Sequence, residues 1–242
     1  GRLAHPWELE SAFSERTAAV AYLYSPFISR NALPFEQVRD MAHEHGVPVI
    51  VNAASFLPPR ANLKRFIAAG ADMVIFSGGK VVRGPQGTGI LVGRRDLIEA
   101  AFANASPHEF FGRSLKVAKE EIVGLVEALE IFVNEDEMEQ TRRYRSMVEQ
   151  VVQACGNLSG LRVSLEHDEH DFLLPTAVLR FTSDWRGRSR NDIYEALVAG
   201  DPPIYLQEHG PSDQLGVDPF NVTDDQLDLL VSRLREELDR KP

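Results

Sequence analysis

Cysteine is nearly absent from this sequence: Cys155 is the single one in 242 residues. A disulfide within the chain is thereby excluded, and a reducing compartment, the cytoplasm, is expected. Long apolar runs are missing as well. No stretch approaches the roughly 20 residues that a membrane-spanning helix needs, and the first residues show no signal-peptide pattern, so no membrane association is expected. Basic residues are in deficit, 26 Lys and Arg against 36 Asp and Glu, for a net charge of −10. A nucleic-acid binder normally shows a basic face, so no nucleic-acid partner is expected. Spaced metal ligands are lacking too. The one run dense in such side chains, Glu166-His167-Asp168-Glu169-His170-Asp171, reads as a solvated loop between strands, and no metal site is expected. There is no internal repeat. What remains, 43% apolar and 26% charged residues, is the ordinary composition of a soluble globular protein with one large or two small domains.

The periodicity alternates between strand and helix. Ala18–Tyr24, Val47–Val51 and Met73–Phe76 are apolar runs bounded by turn residues, hence buried strands. Between them lie a helix opening near Leu33-Pro34 and closed by Gly46, and a second from Leu63 to Ala69, stopped by Gly70. Alternation of this kind predicts an α/β fold with a mostly parallel sheet, whose site gathers at the carboxyl ends of the strands. Asn52 and Lys80 fall at such ends. A helix from Asp96 to Ala103 follows, then two long amphipathic helices. Ile122, Leu125, Leu129 and Phe132 form the stripe of one; Met147, Val148, Val151, Val152 and Cys155 form that of the other. Strands at 161–165 and 177–181, a helix at 191–198 and a closing helix then predict an α+β segment. Thr223 with Gln226 is a capping box for the closing helix, and Val222 with Leu227 its hydrophobic staple.

The stretch from Ser77 to Gly93 organises the rest: Ser77-Gly78-Gly79-Lys80-Val81-Val82-Arg83-Gly84-Pro85-Gln86-Gly87-Thr88-Gly89, running into Ile90-Leu91-Val92-Gly93. Glycines allow positive φ and close backbone approach, so this loop can wrap a ligand. A lysine at a buried strand end is expected to be desolvated, which favours the neutral amine that Schiff-base chemistry needs. As a bare pattern it also fits a surface turn with a solvated lysine. It does not fit a phosphate-binding P-loop, because the lysine precedes the glycines and a strand rather than a helix follows.

Ser77-Gly78-Gly79-Lys80 with Arg83-Gly84-Pro85-Gln86-Gly87-Thr88-Gly89 resembles the pyridoxal-phosphate (PLP) lysine segment of the selenocysteine synthase family. That family contains the L-seryl-tRNA selenium transferases and metabolic relatives such as D-glucosaminate-6-phosphate ammonia-lyases. Gly112-Arg113-Ser114-Leu115-Lys116-Val117-Ala118-Lys119-Glu120-Glu121-Ile122-Val123-Gly124-Leu125 and Gly200-Asp201-Pro202-Pro203-Ile204-Tyr205 are similar to two later segments of it. The resemblance runs from about Glu8 to the end. It implies a PLP-transferase fold of type I. Residues 1–115 would be part of a PLP-binding large domain, 116–155 connecting long helices, and 156–242 a small α+β C-terminal domain.

The resemblance implies that Lys80 is the catalytic lysine bonded to PLP, with Asn52, Ser77, Gly78, Gly79, Gly87 and Thr88 around the cofactor. Arg83 and Gln86 would bind substrate, and the loop that carries them reaches the cofactor phosphate in some such folds. Lys116 and Lys119 read as surface groups. Asn52 departs from the family pattern, in which an aspartate pairs with the pyridine nitrogen and makes the ring a strong electron sink. The family's phosphate-cup loop, ring-stacking group and first strands are expected before Gly1. The implied function is Cα-proton abstraction and β-elimination on an amino acid or amino sugar acid, by a homo-oligomer. Selenium transfer to seryl-tRNA, an aldolase or racemase reaction, and a non-catalytic binding or assembly subunit remain alternatives.

Overall fold

The computed structural model describes residues 4–26, 29–208 and 211–240. It separates into two compact units, Gly1–Glu135 and Asp136–Pro242. Of the two long helices expected within 116–155, one falls in each unit.

The first unit holds a four-stranded sheet in the order β1 (Val20–Leu23), β2 (Val49–Asn52), β3 (Met73–Ser77), β4 (Gly89–Gly93). β1–β2 and β2–β3 pair in parallel, whereas β4 returns antiparallel to β3, with Ser77 opposite Gly89. The mostly parallel sheet of the sequence reading is observed. Around it run α1 (Pro6–Ala12), α2 (Phe35–Glu44), α3 (Asn62–Ala68), α4 (Arg95–Asn104) and α5 (Lys119–Asn134). Gly46 and Gly70 end α2 and α3 as expected. Each has positive φ, and the following amide reaches back to the helix: Val47 N–H to Ala42 O at 2.9 Å, Ala71 N–H to Phe66 O at 2.8 Å.

One face of this sheet is buried. Tyr22, Val49, Val51, Val74 and Phe76 point into a core completed by Phe35 of α2 and Phe66 of α3. Edge-on aromatic contacts knit it together, Tyr22 to Phe35 at 5.5 Å and Phe35 to Phe66 at 5.1 Å between centroids. The other face carries the cross-strand row Leu23, Asn52, Ile75, Leu91, all exposed. Only part of the stripe expected on α5 is covered: Phe132 is buried and Leu125 and Leu129 half-buried, but Ile122 is exposed. Val123, Val126 and Ile131 are exposed as well. The covered side carries Leu125, Leu129 and Phe132, as the stripe expected, with the exposed Glu120, Glu127, Glu130 and Asn134 on another side of the helix.

The strand that enters the candidate site is anchored at its start by Asp72. Its buried carboxylate meets His43 Nε2 at 2.8 Å, Val49 N–H at 2.8 Å and Arg94 Nη1 at 2.9 Å. Burial pushes this carboxyl up, yet the three hydrogen bonds more than offset that and hold it below the usual carboxylate range.

In the second unit, α6 (Glu137–Cys155), α7 (Arg190–Val198) and α8 (Asp224–Asp239) accompany an antiparallel sheet ordered β5 (Leu161–Glu166), β6 (Thr176–Phe181), β7 (Gln214–Val217). Tyr144, Met147, Val148, Val151 and Cys155 of α6 share one core with Leu230, Leu234 and Leu238 of α8. The closing helix starts where its signals place it. Thr223 N–H donates to Gln226 Oε1 at 3.1 Å, and Val222 packs on the core that contains Leu227. The polar run after β5 folds on itself, Asp168 Oδ1 accepting from the His170 and Asp171 amides at 2.7 Å each.

Candidate functional site

The carboxyl ends of β2 and β3 lie side by side, and the parallel ladder continues one step past β2, where Ala53 N–H donates to Ile75 O at 2.9 Å. There the chain turns, and the turn is fixed from beneath. Phe56 is fully buried between Tyr24 (4.4 Å) and Phe66 (5.2 Å), and the buried Asn62 donates its Nδ2 to Phe56 O at 2.8 Å. With Phe56 held so firmly, the residue before it is presented at the surface in one place. That residue is Ser55, and Lys80 Nζ donates to its Oγ at 2.7 Å.

Asn52, the last residue of β2, is exposed and bonds its own turn: its Oδ1 accepts from Ala54 N–H at 3.1 Å. A backbone N–H can be met only by the amide oxygen, so the orientation of this side chain is determined. Its Nδ2 has no acceptor among the described residues. Asn52, Ser55 and Lys80 thus share one sheet edge. Ser55 had no sequence signal, since its contact with Lys80 spans 25 positions and depends on Phe56 filling the core.

Lys80 itself differs from expectation. It lies three residues beyond β3 and its side chain is exposed rather than buried at the strand end. The reason is geometric: the turn of residues 78–82 lifts the lysine off the strand end before its side chain begins.

The glycines that follow also act differently. None of those in the loop from Gly78 to Gly89 has positive φ; the residue that does is Arg83, at 60°. Their smallness serves packing of the loop on itself and on α5. A Cβ on Gly78 would stand 2.1 Å from Thr88 Oγ1 and 2.7 Å from Leu125 Cδ1; one on Gly79 would stand 2.6 Å from Gln86 Cα. One on Gly87 would meet Glu121 Oε1 at 2.9 Å. Internal hydrogen bonds close the loop: Gly78 N–H to Thr88 O (3.0 Å), Gly84 N–H to Gly78 O (2.8 Å), Arg83 N–H to Lys80 O (2.8 Å) and Gln86 Nε2 to Gly79 O (2.8 Å).

Thr88 is buried and its hydroxyl donates to Pro85 O at 2.6 Å. Ser77 is the half-buried end of β3. Arg83 pairs with Glu135 at 3.5 Å, half exposed. Lys116 and Lys119 are exposed, the latter 3.7 Å from Glu120. The structure therefore brings Lys80, Asn52 and Ser55 together, and leaves Gln86, Gly87 and Thr88 in the body of the loop.

A covalently held aldehyde cofactor with a ring nitrogen fits the first three. Lys80 offers an accessible amine beside a hydroxyl, and Asn52 an amide donor. The loop offers less to a phosphate, because six of its own donors, the N–H groups of Gly78, Arg83, Gly84 and Thr88, Gln86 Nε2 and the Thr88 hydroxyl, are already bonded within it.

Comparison with known proteins accounts for this arrangement. The aminotransferase class-V family model matches residues 1–172. The chain is 32% identical over 236 residues to a D-glucosaminate-6-phosphate ammonia lyase of Salmonella typhimurium, covering 97% of this chain and 61% of that protein. It is 32% identical over 231 residues to a 5'-C-glycyluridine monooxygenase-decarboxylase of a Streptomyces species, covering 94% of this chain and 56% of that one. A solved D-glucosaminate-6-phosphate ammonia-lyase structure superposes with a TM-score of 0.73 at 30% identity, over 98% of this chain and 62% of that chain. The L-seryl-tRNA(Sec) selenium transferases match as well, the one of Solidesulfovibrio magneticus at 25% identity over 268 residues, 96% of this chain and 55% of that protein. The chain thus spans about three fifths of the length of these relatives. It has the PLP-transferase fold, and the chain belongs to the aminotransferase class-V family of PLP-dependent proteins.

Proposed function

We propose that the chain carries the cofactor lysine of a PLP-dependent enzyme that removes the Cα proton of an amino acid or amino sugar acid and eliminates its β-substituent, in the manner of an ammonia-lyase. The observation that carries this reading is Lys80 Nζ at 2.7 Å from Ser55 Oγ, beside Asn52 at the carboxyl ends of β2 and β3. The ammonia lyase likeness supports it.

When bound, PLP supplies an electron sink for charge developing at the substrate Cα. The chain's own residues do the remainder. The Lys80 amine would hold the cofactor, and it is the base placed to take the Cα proton. Ser55 accepts a hydrogen bond from Nζ and so fixes where that amine stands. Asn52 has its oxygen engaged by Ala54 N–H, which leaves Nδ2 to donate. A donor selects a ring nitrogen that is unprotonated, whereas a carboxylate would select the protonated form. Asn52 therefore tunes the site toward reactions that ask less of the ring. Arg83, which pairs with Glu135, carries the guanidinium proposed to meet a substrate carboxylate. Ser77, Gly78, Gly79, Gly87 and Thr88 shape the loop that carries Lys80, and Gln86 locks it to Gly79 O. A homo-oligomer in the cytoplasm with a small amino-acid-like substrate, and domain limits at 115 and 155, complete the proposal.

Incubation with PLP, reduction with borohydride and peptide mapping test it. A pyridoxyl group on Lys80, absent in Lys80→Ala, is the expected result. Labelling of Lys116 or Lys119 with Lys80 unmodified overturns the assignment.

A further inference from the structure

The second unit contains a cavity of about 540 Å3, a size at which small organic ligands bind. The segment Pro202–Gln207 forms one wall, and the chain from Asp218 into the first turns of α8 forms the other. Its body is apolar: Pro202 and Pro203 have no N–H to offer, and Ile204, Val222, Leu229 and Leu230 supply aliphatic surface. Leu229 and Tyr205 remain 41% and 70% exposed, which is unusual for such side chains beside a ready-made hollow.

The polar groups of the cavity have one character. Among the described residues lining it there is no Lys, Arg or His, and the only ionisable side chains are Asp218 and the Tyr205 phenol. Asp218 Oδ1 accepts from Phe220 N–H at 2.8 Å, and Oδ2 has no partner among the described residues. The side-chain amides of Gln207 and Asn221 have none either, although Gln207 N–H donates to Gly216 O at 2.7 Å. Gln226 gives its oxygen to the Thr223 amide, and its Nε2 has no partner among the described residues. A carboxylate in a hollow without any cation repels anions and attracts positive charge, and an exposed phenol ring adds its face to that attraction.

We propose that this cavity binds a small organic cation, a primary ammonium on an apolar body, with Asp218 as its counter-ion and Tyr205 beside it. The surroundings of Asp218 agree. Asp218 is exposed at the cavity wall, yet the density of protein around it pushes its carboxyl up from the ordinary value, partly offset by the Phe220 amide. Such a carboxylate gains from an arriving cation more than one in open water does. The residues of this cavity all fall in the second unit and its test is run without PLP, so the proposal can fail or succeed independently of the proposed cofactor chemistry.

Benzylammonium is a suitable probe, titrated into the full chain without added PLP so that no condensation with the cofactor occurs. Benzyl alcohol and benzoate serve as neutral and anionic counterparts. Saturable one-to-one binding is expected at about millimolar or tighter, with no binding of benzoate. Asp218→Asn retains the acceptor for Phe220 N–H while removing the charge, and it should weaken binding at least about tenfold. Tyr205→Ala should weaken it by a smaller factor. Equal binding of benzoate, an unchanged Kd in Asp218→Asn, or no saturation by benzylammonium at about ten times the millimolar range overturns the proposal. Should Asp218→Asn not fold, methyl NMR of the unaltered chain decides: benzylammonium must shift Val222, Leu229 and Leu230, and shifts confined elsewhere refute the site.

Discussion

Replacing Gly78 by alanine isolates what the glycines of the lysine loop are for. Gly78 is not among the positive-φ glycines, so alanine is allowed by its backbone, and both of its main-chain hydrogen bonds survive. The substitution adds one methyl group, and that methyl lands 2.1 Å from Thr88 Oγ1, 2.7 Å from Leu125 Cδ1 and 3.1 Å from Thr88 Cβ. Thr88 is buried, and turning its hydroxyl aside breaks its bond to Pro85 O. Overpacking costs about 1–3 kcal/mol and the lost hydrogen bond about 1 kcal/mol. The stiffer unfolded chain returns about 0.4–1 kcal/mol. The expected net loss is roughly 1–4 kcal/mol, seen as a lower urea midpoint with an unchanged slope. In the Gly78→Ala, Thr88→Ala double variant the oxygen is gone, so the two losses should fall short of additivity by roughly 1 kcal/mol. A Gly78→Ala chain as stable as the parent, or strictly additive losses, would refute the claim that the loop packs on itself. All of this is measured without cofactor, which separates packing from any contact with PLP.

Asp72→Asn should destabilise the chain at pH 7 by roughly 1–3 kcal/mol, since Arg94 and His43 lose a buried partner. The folded pKa of Asp72 is depressed, so its contribution is present above the unfolded value, about 3.9, and is lost as pH falls through the lower folded one. The gap between parent and variant should close in acid; a gap independent of pH counts against the network. Cys155 is fully buried, and burial pushes its thiol up to about 11, with Arg235 pulling down and Asp239 adding a little. It should resist a thiol reagent at pH 8 until urea unfolds the chain, and rapid labelling of the native protein contradicts this. Asn52→Asp should speed Cα hydrogen exchange of an added amino acid in the presence of PLP, read by NMR in deuterated water. An unchanged exchange rate shows that position 52 does not govern the ring nitrogen.

Local chemistry is enough to place most elements here. Gly46 and Gly70 stop helices because the αL residue after a helix is best a glycine, and Val222, Thr223, Gln226 and Leu227 start one because their groups satisfy its first turn. Alternating apolar runs likewise sufficed for the parallel sheet and for Lys80 and Asn52 at its carboxyl edge. β7 escaped notice because it is four residues long, carries Gly216, and exists only through pairing with β6 across α7. On α5 the covered residues Leu125, Leu129 and Phe132 were legible as a stripe, but the exposure of Ile122 was not, because the apolar Val123 and Val126 beside it blur that edge. Tertiary structure alone decided three features of the site. It set Ser55 against Lys80 through the burial of Phe56, turned Lys80 out to solvent, and used the loop's glycines for contact with Thr88, Gln86 and α5. Each depends on atoms that are distant in sequence and meet only when a core forms, which is why local pattern points to candidate residues such as Lys80 and Asn52 but not to Ser55 or to their surroundings.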